Sequence, residues 1–240
     1  MAFSHGSASR VYVGGFDLSA YFNGIGMEAS VDAAEVTTFG LGAKAYIPGP
    51  GDGTVSAEGF FDGAVDAVDQ VLSEAMPSTA IWTWLPGGDG QGNVAKCAVT
   101  VQTSYGVDAP SDDATTISAE GQATGTGIER GVVAHPLQER TASGNGMSLD
   151  HGVSTEGGGA AYLHVMAVSG FSSVTVKVQH SADNVTFVDK ATFDTVTARG
   201  AQRVVLSGTV NRYVRVIWTA VGSGVVRFAA VVVRRPTVVG

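Results

Sequence analysis

The side chains with the greatest chemical reach in this sequence are five histidines and a single cysteine. His5, His135, His151, His164 and His180 make no His-x3-His pair and no Cys/His set of the spacing zinc requires. They read as surface or strand histidines. Cys97 stands alone, which excludes an intrachain disulfide and a multi-cysteine metal site. It falls on the apolar side of an alternating stretch with nothing nearby to lower its pKa, and reads as a buried, inert thiol. No serine sits in a Gly-x-Ser-x-Gly elbow. The run Gly125-Thr126-Gly127-Ile128-Glu129-Arg130-Gly131 resembles a dinucleotide loop only superficially. Its third glycine comes one residue late, and no parallel βαβ unit surrounds it, so it reads as a flexible linker. Gly87-Gly88-Asp89-Gly90-Gln91-Gly92-Asn93 occurs once, whereas calcium-binding repeats of this composition stack, and it reads as a hairpin tip. Arg227, Arg234 and Arg235 form a small basic cluster, either solvated or set against an acidic neighbour. Asn184-Val185-Thr186 matches a glycosylation acceptor but has no secretory signal to go with it. These patterns lead us to expect no enzyme, no catalytic residue, no cofactor and no metal.

The elements around these residues are mostly strands. Residues 9–13 predict a short strand ending in a turn at Gly14-Gly15, and a longer segment from Ile25 to Thr38 ends in Phe39-Gly40-Leu41-Gly42. Ala43–Gly53, rich in Gly and Pro, predicts a loop that carries Tyr46, Ile47 and Pro48. A further strand is expected over 54–61. One helix is expected over 64–76, from Val65, Val68, Leu72, Ala75 and Met76 at helical spacing, with Asp62 as N-cap and Pro77 as stop. Strands are predicted at 80–85, 94–105 and 115–124. In the last two, Ala95, Cys97, Val99, Val101, Tyr105, Ile117, Ala119 and Ala123 alternate with a polar series. Period-two alternation marks a sheet with one buried and one wet face. Residues 125–159 read as a linker and the loop-rich start of a second domain. Strands are then predicted near 161–168, 173–181, 185–190, 202–207, 212–219 and 224–233, with a tight hairpin at Ala182-Asp183-Asn184; together they predict a β-sandwich. The fold class expected is therefore all-β (minor α): an N-terminal β-sandwich or barrel with one flanking helix, plus a C-terminal β-sandwich.

Composition supports this division. The 33 glycines suit tight turns between many short strands, and 44% hydrophobic residues suffice for a core. Residues 1–130 carry four basic residues against sixteen acidic ones, a net of −12. Residues 131–240 carry ten against six, a net of +4, and the two return the −8 of the whole chain. That break predicts domains at 1–130 and 131–240, the first a poor binder of nucleic acid. No apolar run is long enough to span a bilayer, and Met1–Gly6 has no basic region or apolar signal core, so synthesis in the cytoplasm and no membrane partner are expected.

Four segments in order carry a resemblance: Asp17-Leu18-Ser19-Ala20-Tyr21-Phe22-Asn23, Ala33-Ala34-Glu35-Val36-Thr37-Thr38-Phe39-Gly40, Lys44-Ala45-Tyr46-Ile47-Pro48-Gly49, and Thr54-Val55-Ser56-Ala57-Glu58-Gly59-Phe60-Phe61-Asp62-Gly63. Over residues 10–125 the chain resembles the major tail (tail tube) proteins of siphophages that infect actinobacteria. That resemblance implies two packed antiparallel sheets with a flanking helix and a long loop, in a subunit forming hexameric rings that stack into a tube. Sheets from the six subunits would close into one inner barrel, through which viral DNA is ejected without specific binding. It also implies partners such as a tape measure and a tail terminator, a place in the virion tail, and assembly in the host cytoplasm. Thr100, Gln102, Ser104, Thr116, Ser118, Glu120 and Gln122 are then the candidates for the lumen-facing set. Phe39, Tyr46, Ile47 and Pro48 are the candidates for a loop packing on the next ring. Val178–Phe187 resembles a β-sandwich module appended to phage tail proteins, placed outside the tube, and also resembles carbohydrate-binding sandwiches. The alternative function is accordingly a minor tail or host-surface glycan-binding protein.

Overall fold

The structure is a computed structural model and describes residues 6–40 and 42–236. His5, most of the N-terminal Met1–Gly6 segment, and Leu41 lie outside the described residues. After a 3-10 turn at Gly6–Ala8, the strands in chain order are β1 (Arg10–Val13), β2 (Phe16–Asp17), β3 (Phe22–Glu35) and β4 (Tyr46–Phe60). Helix α1 (Val68–Glu74) follows, then β5 (Thr79–Leu85), β6 (Val94–Asp108), β7 (Thr116–Ala123) and β8 (Glu129–Arg140). Next come β9 (Gly144–Asn145), β10 (Leu149–Asp150), β11 (Gly159–Ser169), β12 (Ser173–Ser181), β13 (Val188–Thr192), β14 (Gly200–Leu206), β15 (Tyr213–Val221) and β16 (Val225–Arg234). The all-β class with a single helix holds among the described residues.

By contacts the chain forms two compact units. One comprises Met1–Ala20, Ile81–Cys97 and Arg130–Gly240; the other comprises Tyr21–Ala80 and Ala98–Glu129. We call them the sandwich unit and the ribbon unit. One crossing between them, at 129/130, coincides with the break in charge.

In the sandwich unit, one sheet holds β14, β11, β16 and β8 as successive neighbours, and the second has the order β10-β15-β12-β13. The reason is legible in β12 and β15. Their register pairs Val174 with Ala220, Val176 with Trp218 and Val178 with Val216, alternating with Thr175–Thr219, Lys177–Ile217 and Gln179–Arg215. The first set points inward and joins Leu163, Val165, Phe228 and Val232 from the first sheet in one buried cluster. Each such aliphatic side chain contributes about 1.5–3 kcal/mol through burial. Among the described residues this makes the expected β-sandwich. The expected hairpin at Ala182-Asp183-Asn184 is present: Asn184 takes a φ of 61°, and the Asp183 carboxylate accepts from the backbone N–H groups of Val185 and Thr186.

Residues 129–140 correct the linker reading, because β8 is an interior strand of the first sheet, flanked by β16 and β6. Its buried positions carry Glu129, Gly131 and His135 beside Val133 and Ala134, so apolar alternation is masked. Gly131 is required by close approach, since a Cβ there would stand 2.7 Å from the carbonyl oxygen of Val232.

In the ribbon unit, strands lie in the order β3-β4-β7-β6, each antiparallel to its neighbour. Helix α1 is shorter than the sequence implies. Asp66 adopts a φ of 64°, which interrupts helical geometry, and the N-cap is Ala67 without a side-chain bond. Asp62 caps the preceding turn instead, accepting from the Ala64 N–H at 2.9 Å. Val68, Val71 and Leu72 form its buried face; Val65 and Met76 lie outside the helix and are exposed.

Candidate assembly surface

The ribbon-unit sheet has one covered and one open face. Val55, Ala57, Ile117 and Ala119 are buried, and their register partners show that they share a side: Ala57 stands opposite Ala119, and Met27 opposite Val55. The other side carries Glu28, Thr54, Ser56, Glu58, Ser104, Ser118 and Glu120, all exposed. Cross-strand partners again agree, with Glu58 opposite Ser118 and Ser56 opposite Glu120. Lysine and arginine are missing from this face.

Of the seven residues expected on a wet face, Ser104, Ser118 and Glu120 are exposed, and Thr116 and Gln122 are half-buried on the same side. Thr100 and Gln102 are not: both are buried, and this corrects their expected placement. Gln102 donates from Nε2 to the Leu72 carbonyl at the end of α1, at 2.8 Å, and Thr100 donates to the Ala80 carbonyl at 3.3 Å. The cause lies in β6. Ala95 and Cys97 are buried in the sandwich unit, but from Ala98 onward the buried positions are Ala98, Thr100 and Gln102. The buried parity inverts where the strand passes from one unit to the other. A bulge between Gln102 and Ser104 then turns Ser104 to the open face. Tyr105 thereby meets Asp69 of α1, its hydroxyl donating at 2.7 Å, and burial together with that carboxylate pushes the Tyr105 pKa up.

The four residues expected in a loop are placed differently. Tyr46, Ile47 and Pro48 belong to β4, paired with Glu35, Ala34 and Ala33 of β3; only Phe39 lies in the connecting turn. Pro48 is tolerated because β7 pairs β4 only from Thr54 onward, so the missing N–H falls on an unpaired side, next to a bulge in β3. From Glu28 to Glu35 and from Tyr46 to Asp52, every residue is exposed. This is a two-stranded ribbon with both faces in water, a structure of marginal stability by itself. It nonetheless bears Val31, Tyr46 and Ile47 at more than half exposure, with Phe39 fully exposed at its end. Tyr46 shares a face with Glu35 and Ile47 with Ala34, so apolar groups lie on both sides. The turn is held by Lys44 on Glu35 at 2.9 Å and by Thr37, which donates to Glu35 and accepts from the Ala45 N–H.

Charge separates the units more sharply than the linear division does. Within the ribbon unit, Lys44 is the one cation against fourteen carboxylates, and it is already paired with Glu35. The remaining thirteen cations and eight carboxylates belong to the sandwich unit.

The groups with chemical reach are sealed or structural. His164, fully buried, donates from Nδ1 to the Gly14 carbonyl at 2.7 Å, which leaves Nε2 to accept from the Thr83 hydroxyl at 2.7 Å. Burial lowers its pKa to about 4. Cys97 is buried, 3.4 Å from the same hydroxyl. His135 stacks on Phe228 at 4.4 Å and accepts from Arg140; burial first, and then that guanidinium, bring its pKa to about 4. His180 Nδ1 accepts from the Asn211 N–H. Gly125 and Gly127 take positive φ in the short turn before β8. Gly87–Asn93 forms the connection between the neighbouring strands β5 and β6, tied by the Asn93 amide to the Gly87 carbonyl at 2.8 Å. Among the described residues no group of three or more His, Cys, Asp or Glu could hold a metal ion, and no helix is long and apolar enough to cross a membrane.

No protein-family model matches the sequence, and no curated protein does. Likeness is found among solved structures. A chain from the virion of a native gene transfer agent particle is 11% identical, covering 53% of this chain and 98% of its own, with a TM-score of 0.44. The SPP1 Dit protein is described as a paradigm of the hub adsorption apparatus in phages infecting Gram-positive bacteria. It is 12% identical, covering 92% of this chain and 98% of its own, with a TM-score of 0.36.

Proposed function

We propose that the chain is a structural virion protein, a subunit that polymerises as stacked rings, taken as hexameric, into a phage tail tube through which DNA is ejected. The observation that carries this reading is the unfinished sheet of the ribbon unit. Its strands run in the order β3-β4-β7-β6 with alternating direction. The two outer strands are therefore antiparallel to each other. β3 of one copy can pair with the 101–108 stretch of β6 in the next, in the same sense as every pair inside the sheet, for any number of copies. Ring closure removes edges that would otherwise invite uncontrolled pairing.

On this reading the face holding Glu28, Glu58, Ser104, Thr116, Ser118, Glu120 and Gln122 lines the channel. Phosphate contacts need cations, and a face without them lets DNA slide. The ribbon, with Phe39, Tyr46, Ile47 and Pro48, reaches a neighbouring ring, where its apolar groups are covered. The division into a tube domain, residues 1–130, and an exterior sandwich, residues 131–240, belongs to the same proposal. On the same reading the tube-forming part is the ribbon unit, Tyr21–Ala80 and Ala98–Glu129. Partners are further copies, a tape measure and a terminator. The place is the virion tail, after assembly in the host cytoplasm.

The competing reading, a glycan-binding minor tail protein, would need aromatic faces free to stack on sugar. Within the sandwich unit the partly exposed aromatics Phe16, Trp84, Phe187 and Tyr213 already lie under Arg199, Lys96, Arg215 and Arg212. That observation favours the first reading.

Negative-stain electron microscopy of the purified protein tests it. Rings or tubes are expected at high concentration, and Tyr46→Ala should give a folded protein that fails to form them. Protein that stays monomeric even with tail-tip initiators added would refute the assignment.

A further inference from the structure

In the sandwich unit a cleft of about 270 Å³ lies between the start of β8, the end of β16 and the segment after β10. It is small for a drug-sized molecule. Arg130, His151, Thr155 and Arg234 line it, and among the described residues no carboxylate does. Arg234 is fixed by its Nη2, which donates to the carbonyls of Val153 and Val210. Its Nε, the His151 Nε2 and the Thr155 Oγ1 are shielded from bulk water and have no hydrogen-bond partner. Three carboxylates adjoin the cleft residues in sequence, Glu129, Asp150 and Glu156, and none of them lines it; Asp150 is engaged elsewhere. Arg212 grips both its oxygens at 2.6 Å, and the Gly152 N–H donates to it.

Buried polar atoms without partners are uncommon, and each calls for an explanation. Three around one cleft, one of them on the Arg234 guanidinium and with Arg130 as a second guanidinium on the lining, point to a missing acceptor. Arg234 Nε can only donate. Thr155 can donate, and so can His151 Nε2 whenever it carries a proton, as the neutral Nε2–H tautomer or as imidazolium. A single water would supply acceptor oxygen but no negative charge beside the partly buried Arg234.

We propose that this cleft binds a small tetrahedral oxyanion of phosphate's class, free or carried as a monoester. Arg130 and Arg234 supply charge, and Thr155 and His151 complete the donor set. Acceptors pointing in several directions suit donors arriving from β8, from β16 and from the loop between β10 and β11. Arg130 is the exposed member and reaches the anion from solvent; small shifts of the His151 ring and the Thr155 hydroxyl bring the shielded donors to it.

The resting state of His151 supports the site and offers the readout. Its pKa is lowered to about 4, first by burial and then by the Arg234 charge, with Asp150 opposing. An anion seated between these groups reverses the second cause and favours the protonated ring.

The test is a histidine titration by NMR of the full chain at constant ionic strength, with chloride, with inorganic phosphate and with glycerol phosphate. Phosphate should raise the His151 pKa by one unit or more while His135 and His164 stay unmoved. An equal effect of glycerol phosphate would show that an ester is admitted; an effect of phosphate alone would restrict the site to the free ion. Arg234→Gln should abolish the shift. Since Arg234 also holds two carbonyls, Arg130→Gln is the second variant; it should weaken phosphate binding about tenfold with the fold intact. An unmoved His151 in both anions at tens of millimolar, or a shift unchanged in Arg130→Gln, would overturn the proposal.

Discussion

The two units of this protein solve the same problem to different degrees. In the sandwich unit two sheets face one another, and nineteen buried residues form a single cluster between them. The ribbon unit has a helix on one side of its sheet, polar residues on the other, and a ribbon with apolar groups in water. It also concentrates negative charge, with fourteen carboxylates against one lysine. The sandwich encloses a two-sheet core within one chain, although it too exposes Met147, Val153, Val185 and Val205, whereas the ribbon sheet has one covered face and its long two-stranded arm has none. The difference teaches that substitutions of similar size should damage stability in one unit and assembly in the other.

The largest expected effect is in the sandwich. Phe228→Ala removes a buried ring packed on His135 and Trp218 and should cost about 3–5 kcal/mol in chemical denaturation. Acid should act on the same unit. His135 and His164 are held neutral, with pKa values lowered to about 4, while the unfolded chain takes up protons near pH 6.5. The unfolded state thus binds more protons between these values. Stability is fully present above pH 6.5 and falls as pH drops toward 4, by on the order of 3 kcal/mol for each group. Unfolding midpoints measured from pH 7 to pH 4 check this; flat midpoints would contradict it.

Smaller effects belong to the ribbon unit. Gln102→Ala leaves the Leu72 carbonyl without its donor and should cost about 1–3 kcal/mol, seen as earlier loss of α1 in hydrogen exchange. Phe39→Ser should change stability by less than about 0.5 kcal/mol, since the ring touches water, yet should lower the yield of rings. Gln122→Lys should leave folding and assembly intact but slow DNA ejection by adding a cation to the open face. Were Phe39→Ser to destabilise the monomer and spare assembly, the contrast between the units would be lost.

Much of this was legible in the residue pattern. β12 and β15 alternate cleanly, because one side meets the core and the other meets water. β8 hid itself, since a strand that buries Glu129, Gly131 and His135 shows no apolar period. Residues 43–53 looked like a loop because Gly and Pro suit turns, but backbone pairing with β3 does not depend on side chains, and an edge accommodates Pro48. In β6 the amide and hydroxyl of Gln102 and Thr100 suggested a wet face. Only the inversion of buried parity near Cys97, a consequence of the strand serving two cores, turns them inward. The cleft around Arg234 could not be read at all from the sequence, because its members are drawn from three segments far apart in the chain.

Hydrogen–deuterium exchange, compared between monomer and assembled particles, addresses the edges themselves. Amides of β3 and of residues 101–108 should gain protection on assembly, while those of β12 and β15 stay as they are. Assembled particles in which both outer strands exchange as fast as in the monomer would contradict closure of the sheet between copies.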